Sequence, residues 1–102
     1  MDQESNLPLL AQVAGIEFSE TFRDRLREDG TRWNPYRNDA DAFDLMLKAN
    51  ARIVKGDYLV AAHMGSIMFG VHVAELLRDH NNDANAAARL ALCRAVIKSH
   101  KG

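Results

Sequence analysis

The chain has 102 residues, of which 47% are hydrophobic and 26% are charged, and its formal net charge is −1. This size and composition predict one soluble globular domain over residues 1–102, without room for a second domain. A net charge near zero disfavours a dedicated nucleic-acid binder, which usually carries a domain-wide basic excess. We expect no signal peptide and no membrane span, because no apolar run approaches the roughly 20 residues that cross a bilayer. The single cysteine, Cys93, excludes an internal disulfide and fits a reducing cytoplasm.

The charge is distributed unevenly along the chain. Residues 1–30 contain seven acids and three bases, whereas residues 81–102 contain four bases and one acid. The oppositely charged ends can lie together in one subunit or across a homodimer.

The first predicted element is a short helix over residues 6–15. Asn6 is a suitable N-cap, Pro8 is tolerated in a first turn, and Gly15 suits the left-handed residue after a helix.

Residues 19–29 predict a second helix whose surface is strongly charged. Two rows at a spacing of four residues stand out: Glu20, Asp24 and Glu28, and beside them Arg23 and Arg27. One interpretation is a solvated face with i, i+4 ion pairs. The other is a recognition helix presented to a partner.

The strongest helix signal follows a Trp-Asn-Pro corner and covers residues 39–50. Asn38 predicts an N-cap, and Asp41 three residues later can reach back as in a capping box. We expect one broad apolar face, formed by Ala42, Phe43, Leu45, Met46, Leu47 and Ala49. Asp41, Asp44 and Lys48 would occupy the opposite, solvated face. Trp33 has two interpretations, a core residue above the helix start or an exposed binding anchor.

After Asn50 the pattern changes to short apolar runs separated by glycines. Three antiparallel strands are predicted at roughly 51–55, 58–63 and 67–77, with Gly70 as a bulge. Residues 66–80 stay ambiguous between strand and helix, because an apolar run of this length is not resolved by periodicity.

The last predicted helix covers residues 84–99, with Asn82 and Asp83 as cap candidates. Its buried side is expected to hold Ala86, Leu90, Leu92, Cys93, Val96 and Ile97, and its other side Ala91, Arg94 and Lys98. Arg89 falls within the apolar arc, so it must reach the edge of the core or pair with an acid.

The possible chemical ligands and nucleophiles do not form a recognisable site. His63, His72, His80, Glu75 and Cys93 lack zinc-type spacing, and on the predicted strands His72 and Glu75 point to opposite faces. Cys93 lies on the buried side of an Ala-rich helix, where a free cysteine acts as a small hydrophobe. We therefore predict no catalytic residue, no metal and no cofactor, and expect that the protein is not an enzyme.

Three segments together resemble a known group: LPLLAQVAGIEF, WNPYRNDADAFDLMLK and DANAAARLALCRAVIK. The chain resembles small proteins encoded by tailed phages and prophages of Gram-negative bacteria, and is similar to the phage ABA sandwich domain. The matching positions are Trp33, Asn34, Pro35, Asp39, Asp41, Ala42, Leu45, Ala87, Ala88, Cys93, Arg94 and Ala95. The resemblance implies a phage origin and an α-β-α sandwich without an established activity. The chain departs from the group at residues 19–30, where a charged helix replaces a more apolar link.

The fold prediction is therefore α+β: two N-terminal helices, a central helix, a three-stranded antiparallel sheet and a C-terminal helix. For function, the first hypothesis is a phage accessory protein in the host cytoplasm that binds a host protein and inhibits or modulates it, as anti-CRISPR and other anti-defence proteins do. The acidic row Glu20, Asp24 and Glu28, with Arg23 and Arg27, is its candidate surface. The alternative is a dimeric nucleic-acid-associated regulator that uses Arg94, Lys98 and Lys101, and a virion or assembly component is a further alternative. Membrane binding is not expected, because no helix has a basic face rimmed by aromatic residues.

Overall fold

The protein is α+β, as the sequence predicts. The computed structural model describes residues 3–16 and 33–101, with side chains from 6–16 and 33–100. The elements, in chain order, are α1 (Gln3–Ala14), α2 (Asp39–Ala49), β1 (Arg52–Lys55), β2 (Leu59–Met64), β3 (Val71–Leu76), a 3-10 turn (Leu77–His80) and α3 (Ala84–Lys101). The helix predicted at 19–29 lies outside the described residues.

The start of α1 differs from the prediction. The helix begins at Gln3, so Asn6 and Pro8 both lie inside it and Asn6 does not cap it. Asn6 is buried and its side chain hydrogen-bonds to that of Tyr36, so a tertiary contact replaces the expected cap. The end of the helix is confirmed, because Gly15 has φ 73° and the next residue, Ile16, donates its N–H to the Ala11 carbonyl over 2.8 Å.

The Trp-Asn-Pro corner and the start of α2 form one hydrogen-bonded unit. Asn38 is the N-cap, as predicted, and its Oδ1 accepts from the Asp41 N–H over 3.1 Å. Asp41 is buried, which contradicts its predicted place on the solvated face. Instead of closing a capping box, its Oδ2 accepts from the backbone N–H of Asn34 over 2.8 Å. Trp33 is buried, which confirms the core interpretation.

The buried face of α2 is narrower than predicted. Leu45 is fully buried, but Phe43 and Leu47 expose 57% and 60% of their surface. The prediction of one broad apolar face is therefore wrong at Phe43 and Leu47.

The three strands form an antiparallel meander in the order β1-β2-β3, which confirms the predicted topology. The third strand begins at Val71 rather than at residue 67, because residues 66–70 turn back on themselves. Gly70 therefore precedes the strand, and the predicted bulge is wrong. The ambiguous region 66–80 contains a loop, a strand and a short 3-10 turn.

Helix α3 contacts the sheet and both of the other helices. Asp83 caps it, as predicted, by accepting from the Ala86 N–H over 3.1 Å. One side packs against α1 and α2 through Leu92, Cys93 and Val96. The opposite side consists of alanines that pack on the sheet, namely Ala84, Ala87, Ala88, Ala91 and Ala95. The predicted exposed position of Ala91 is therefore wrong, because the sheet covers the alanine side.

Arg89 ties α3 to the corner. Its Nη1 lies 2.5 Å from Asp39 Oδ1, and its Nε donates to the Tyr36 carbonyl over 2.9 Å. The prediction that Arg89 reaches the edge of the core or pairs with an acid is confirmed.

Candidate protein-binding surface

The sheet has one face packed on α3 and one face that no described element covers. The burial of β2 and β3 alternates, with Val60, Ala62 and Val73 facing α3. We call the opposite side the open face; its side chains are Arg52, Val54, Leu59, Ala61, His63, His72, Ala74 and Leu76. The middle of this face is apolar, and its polar groups gather at the end near the β2–β3 loop.

The polar end of the open face is organised by a histidine pair. His63 and His72 are opposite each other in the ladder, and their Nδ1 atoms are 2.7 Å apart. Nε2 of His72 lies 3.1 Å from the carbonyl oxygen of Ile67, which can only accept, so this nitrogen donates. A neutral His72 then accepts at Nδ1, and the hydrogen-bond network assigns the Nδ1–H tautomer to His63.

Beyond the histidines, the β2–β3 loop presents three large apolar side chains to solvent. Ile67, Met68 and Phe69 expose 86%, 82% and 88% of their surface. We call these three residues the apolar tip. Isolated exposed hydrophobic residues are common, but contiguous groups of this kind mark interaction sites in soluble proteins.

The loop that carries the apolar tip has a defined backbone structure. The hydroxyl of Ser66 accepts from the Phe69 N–H over 2.9 Å, and the carbonyl of Ser66 accepts from the Gly70 N–H over 2.8 Å. At its base, Arg52 donates from Nη2 to the Gly65 carbonyl over 3.0 Å. Together with the bond from His72, these contacts fix the loop to the open face.

Gly70 is required by close packing within this loop. A Cβ at this position would lie 2.1 Å from the Met64 carbonyl oxygen and 2.3 Å from that of Ser66. Both are backbone atoms, so a side chain cannot be accommodated without moving the loop.

A second polar cluster lies on the covered face of the sheet. Glu75 is buried among apolar residues; its Oε1 lies 2.9 Å from His80 Nε2, and its Oε2 accepts from Arg94 Nη1. Because both carboxylate oxygens have partners, this cluster links β3, the 3-10 turn and α3, and we assign it a structural role.

Two ionisable groups in the core are kept neutral. Burial raises the pKa of the Cys93 thiol from 9.0 to about 12, and the nearby Arg89 opposes this rise to a smaller extent. Burial likewise raises the pKa of Tyr36 to about 12, with Cys93 adding to the rise and a hydrogen bond from Asn6 opposing it. A neutral, buried thiol is a poor nucleophile.

Only some of the residues predicted to bind a partner lie within the described part of the chain. The acidic row Glu20, Asp24 and Glu28, with Arg23 and Arg27, lies outside the described residues. On the alternative basic face, Arg94 and Lys98 are exposed on α3. Arg94 is paired with Glu75, which offsets its charge. Lys101 is the last helical residue, and its side chain is outside the described ones.

Within 3–16 and 33–101, no three His, Cys, Asp or Glu side chains are grouped as a metal site would require. None of the helices in these ranges is long and apolar enough to cross a membrane. His72 and Glu75 do lie on opposite faces of β3, as predicted.

Sequence reasoning missed the apolar tip. The predicted strand 67–77 includes the apolar residues Ile67, Met68 and Phe69, although Gly65 and Gly70 lie on either side of this short run. Two glycines around a short run between strands are also the signature of a hairpin loop, and this signal was available.

Comparison of the chain with family models, with curated proteins and with solved structures finds no match.

Proposed function

We propose that this protein is a non-enzymatic binding protein that docks onto another protein through the apolar tip and the open face. The observation that carries the proposal is the apolar tip, in which a hydrogen-bonded loop holds three large side chains in water. A fixed loop loses little conformational entropy on binding, so its apolar surface contributes more fully to affinity.

The size of the surface indicates that the tip does not act alone. Three large side chains bury on the order of 150 Å² each, or about 450 Å² together. A stable interface needs roughly 800 Å² from each partner. The open face supplies the remainder, because His72 and Arg52 bond directly to the loop and make the two surfaces contiguous.

In its more specific form, the proposal is a phage accessory protein that binds a host protein in the host cytoplasm and inhibits or modulates it, for example as an anti-CRISPR-like inhibitor of the host's defence against phage. This form is supported by the resemblance to phage ABA sandwich proteins, whose sandwich arrangement stays a prediction. It retains the acidic row Glu20, Asp24 and Glu28 as a second candidate contact, which reversal of those three charges would test.

The test is affinity capture of the tagged protein from host cytoplasm, followed by mass spectrometry. The tip variant replaces Ile67, Met68 and Phe69 with serine. The control, Phe43→Ser with Leu47→Ser, removes two other exposed apolar side chains from α2, which expose 57% and 60% of their surface. We expect one stoichiometric host protein with the wild type and the control, and its loss with the tip variant. Equal capture by the tip variant would show that this surface is not the site.

The alternative function is a dimeric nucleic-acid-associated regulator that uses Arg94, Lys98 and Lys101. The exposed position of Lys98 supports it, whereas the ion pair of Arg94 with Glu75 weakens it. It predicts salt-sensitive retardation of DNA that declines when Arg94 and Lys98 are removed. If the protein does not retard DNA at low salt, the nucleic-acid role is excluded. If affinity capture recovers only the protein itself, the nucleic-acid role or a role as a virion or assembly component is favoured.

A further inference from the structure

The free edge of β3 has hydrogen-bonding groups that the described part of the chain does not use. The N–H of Leu77 donates to the Tyr58 carbonyl over 2.9 Å. This bond makes Leu77 and Tyr58 a hydrogen-bonded pair, and it therefore determines which residues of β3 direct their backbone groups toward β2. Every second residue of β3 in this register therefore bonds to β2, starting with Val71 and Val73. The residues between them, His72, Ala74 and Leu76, direct their N–H and carbonyl groups outward.

A groove of about 570 Å³ runs beside this edge. It is lined by His72, Val73 and Ala74 of β3 and by Leu90, Arg94, Ile97 and Lys98 of α3. Asn6 and Tyr36 complete the described lining. None of the described lining residues is acidic, and two of them are bases: Lys98, and Arg94, which is paired with Glu75.

Strand addition to an exposed sheet edge is a recurring mode of peptide recognition, in which backbone bonds give affinity and alternate side chains give specificity. In a strand added beside β3, the residues opposite Val73 and Glu75 would share the covered side of the sheet and face α3. There they would meet the apolar surface of Leu90 and Ile97 and the cation of Lys98, whereas Arg94 is already paired with Glu75.

We propose that this groove binds an extended peptide segment of a partner protein, which pairs with the edge of β3 and directs acidic side chains toward Lys98. The groove contains none of the three residues of the apolar tip and shares only His72 and Ala74 with the open face, so it extends the proposed protein-binding function to a second surface.

Ala74→Pro tests the backbone part of the proposal. The substitution removes one outward N–H and leaves the ladder to β2 intact, since proline is compatible with an edge strand when its missing N–H faces away from the sheet. Lys55→Pro is the matched control, because the bond from the Gly56 N–H to the Leu59 carbonyl places the N–H of Lys55 on the outer edge of β1. Lys98→Glu tests the charge without altering the strand.

The probe is a fluorescein-labelled eight-residue peptide of alternating Val and Glu, titrated with the full chain by fluorescence anisotropy. We expect binding to the wild type, to Lys55→Pro and to the tip variant. Affinity should fall at least tenfold for Ala74→Pro and for Lys98→Glu, with circular dichroism showing that both are folded.

Several outcomes would overturn the proposal. They are no binding of the peptide by the wild type, unchanged binding by Ala74→Pro or Lys98→Glu, and equal binding of an alternating Val and Lys peptide. Tighter binding of a labelled single-stranded oligonucleotide would assign the groove to nucleic acid. A dimer in sedimentation that Ala74→Pro dissociates would assign the edge to a second copy of the chain. If the tip variant loses partner capture but still binds the peptide normally, the apolar tip and the groove beside β3 are two distinct binding surfaces.

Discussion

Replacement of Gly70 by alanine should release the loop that carries the apolar tip. The added Cβ would lie 2.1 Å and 2.3 Å from two carbonyl oxygens of the backbone, about 1 Å inside the closest separation that such atoms normally tolerate. Relief of this overlap requires the chain to move at residues 64–66. The bonds that Gly70 and Phe69 make to Ser66 would then break.

Two hydrogen bonds at about 0.5–1.5 kcal/mol each correspond to a loss of roughly 2 kcal/mol. For a domain of this size, that loss lowers the melting temperature by about 8–16 °C.

The β1–β2 hairpin, which contains Gly56, provides a control of opposite sign. At Gly56, an added Cβ would meet only the Leu59 carbonyl oxygen at 3.7 Å, an ordinary contact, and φ is not positive. Gly56→Ala should be neutral or stabilise by up to about 1 kcal/mol, because alanine restricts the unfolded chain. Thermal and urea unfolding of both variants would measure the difference. If Gly70→Ala is as stable as the wild type, or if Gly56→Ala costs as much, the close packing described for the β2–β3 loop is wrong.

Three further predictions follow from burial and hydrogen bonding. Leu45→Ala, in the fully buried part of α2, should cost about 2–5 kcal/mol in urea unfolding, while Leu47→Ala on its exposed side should cost less than about 0.5 kcal/mol. Cys93 should resist iodoacetamide at pH 8 until the protein is unfolded. Because its pKa rises from 9.0 to about 12 on folding, its contribution to stability should be complete below pH 9 and decline as the pH rises toward 12; a Cys93→Ala variant that shows the same decline would contradict this. Nitrogen NMR of the imidazole rings should show the Nδ1–H tautomer for His63 and Nε2–H for His72, and the reverse assignment would refute the network.

The parts of the fold that sequence predicted are those determined by neighbouring residues. Asn38 and Asp83 cap helices because their side chains reach backbone N–H groups three residues away. Gly15 ends α1 because the left-handed conformation costs glycine little. The meander follows from short apolar runs with glycine between them. Each of these signals is local, so no tertiary information is needed to interpret it.

The parts that sequence missed depend on contacts between distant elements. Helical periodicity predicts Asp41 on the solvated face, yet Asp41 is buried and its Oδ2 accepts from the backbone N–H of Asn34, seven residues earlier in the chain. Ala91 was placed outside because it shares a side with Arg94, but small side chains let the sheet approach α3 on that side. Phe43 lies in the apolar arc of α2 but has no described neighbour that buries it. Apolar character shows what a residue can pack against, and only the tertiary arrangement shows whether it does.

The candidate site also depends on tertiary contacts, and His72 shows why its parts belong together. This residue lies on the open face, lines the groove beside β3, and donates to the carbonyl of Ile67 in the apolar tip. A partner that pairs with β3 would therefore fix the ring that supports the tip, and a partner on the tip would favour the same ring position. Binding at either surface should reduce amide exchange at the other, since both depend on one side chain. His72→Ala should weaken this coupling while it leaves the outward backbone groups of Ala74 in place, so that peptide binding persists and its effect on the exchange of Phe69 is lost. If peptide binding protects the Phe69 amide equally in the His72→Ala variant, the two surfaces are not coupled through this residue.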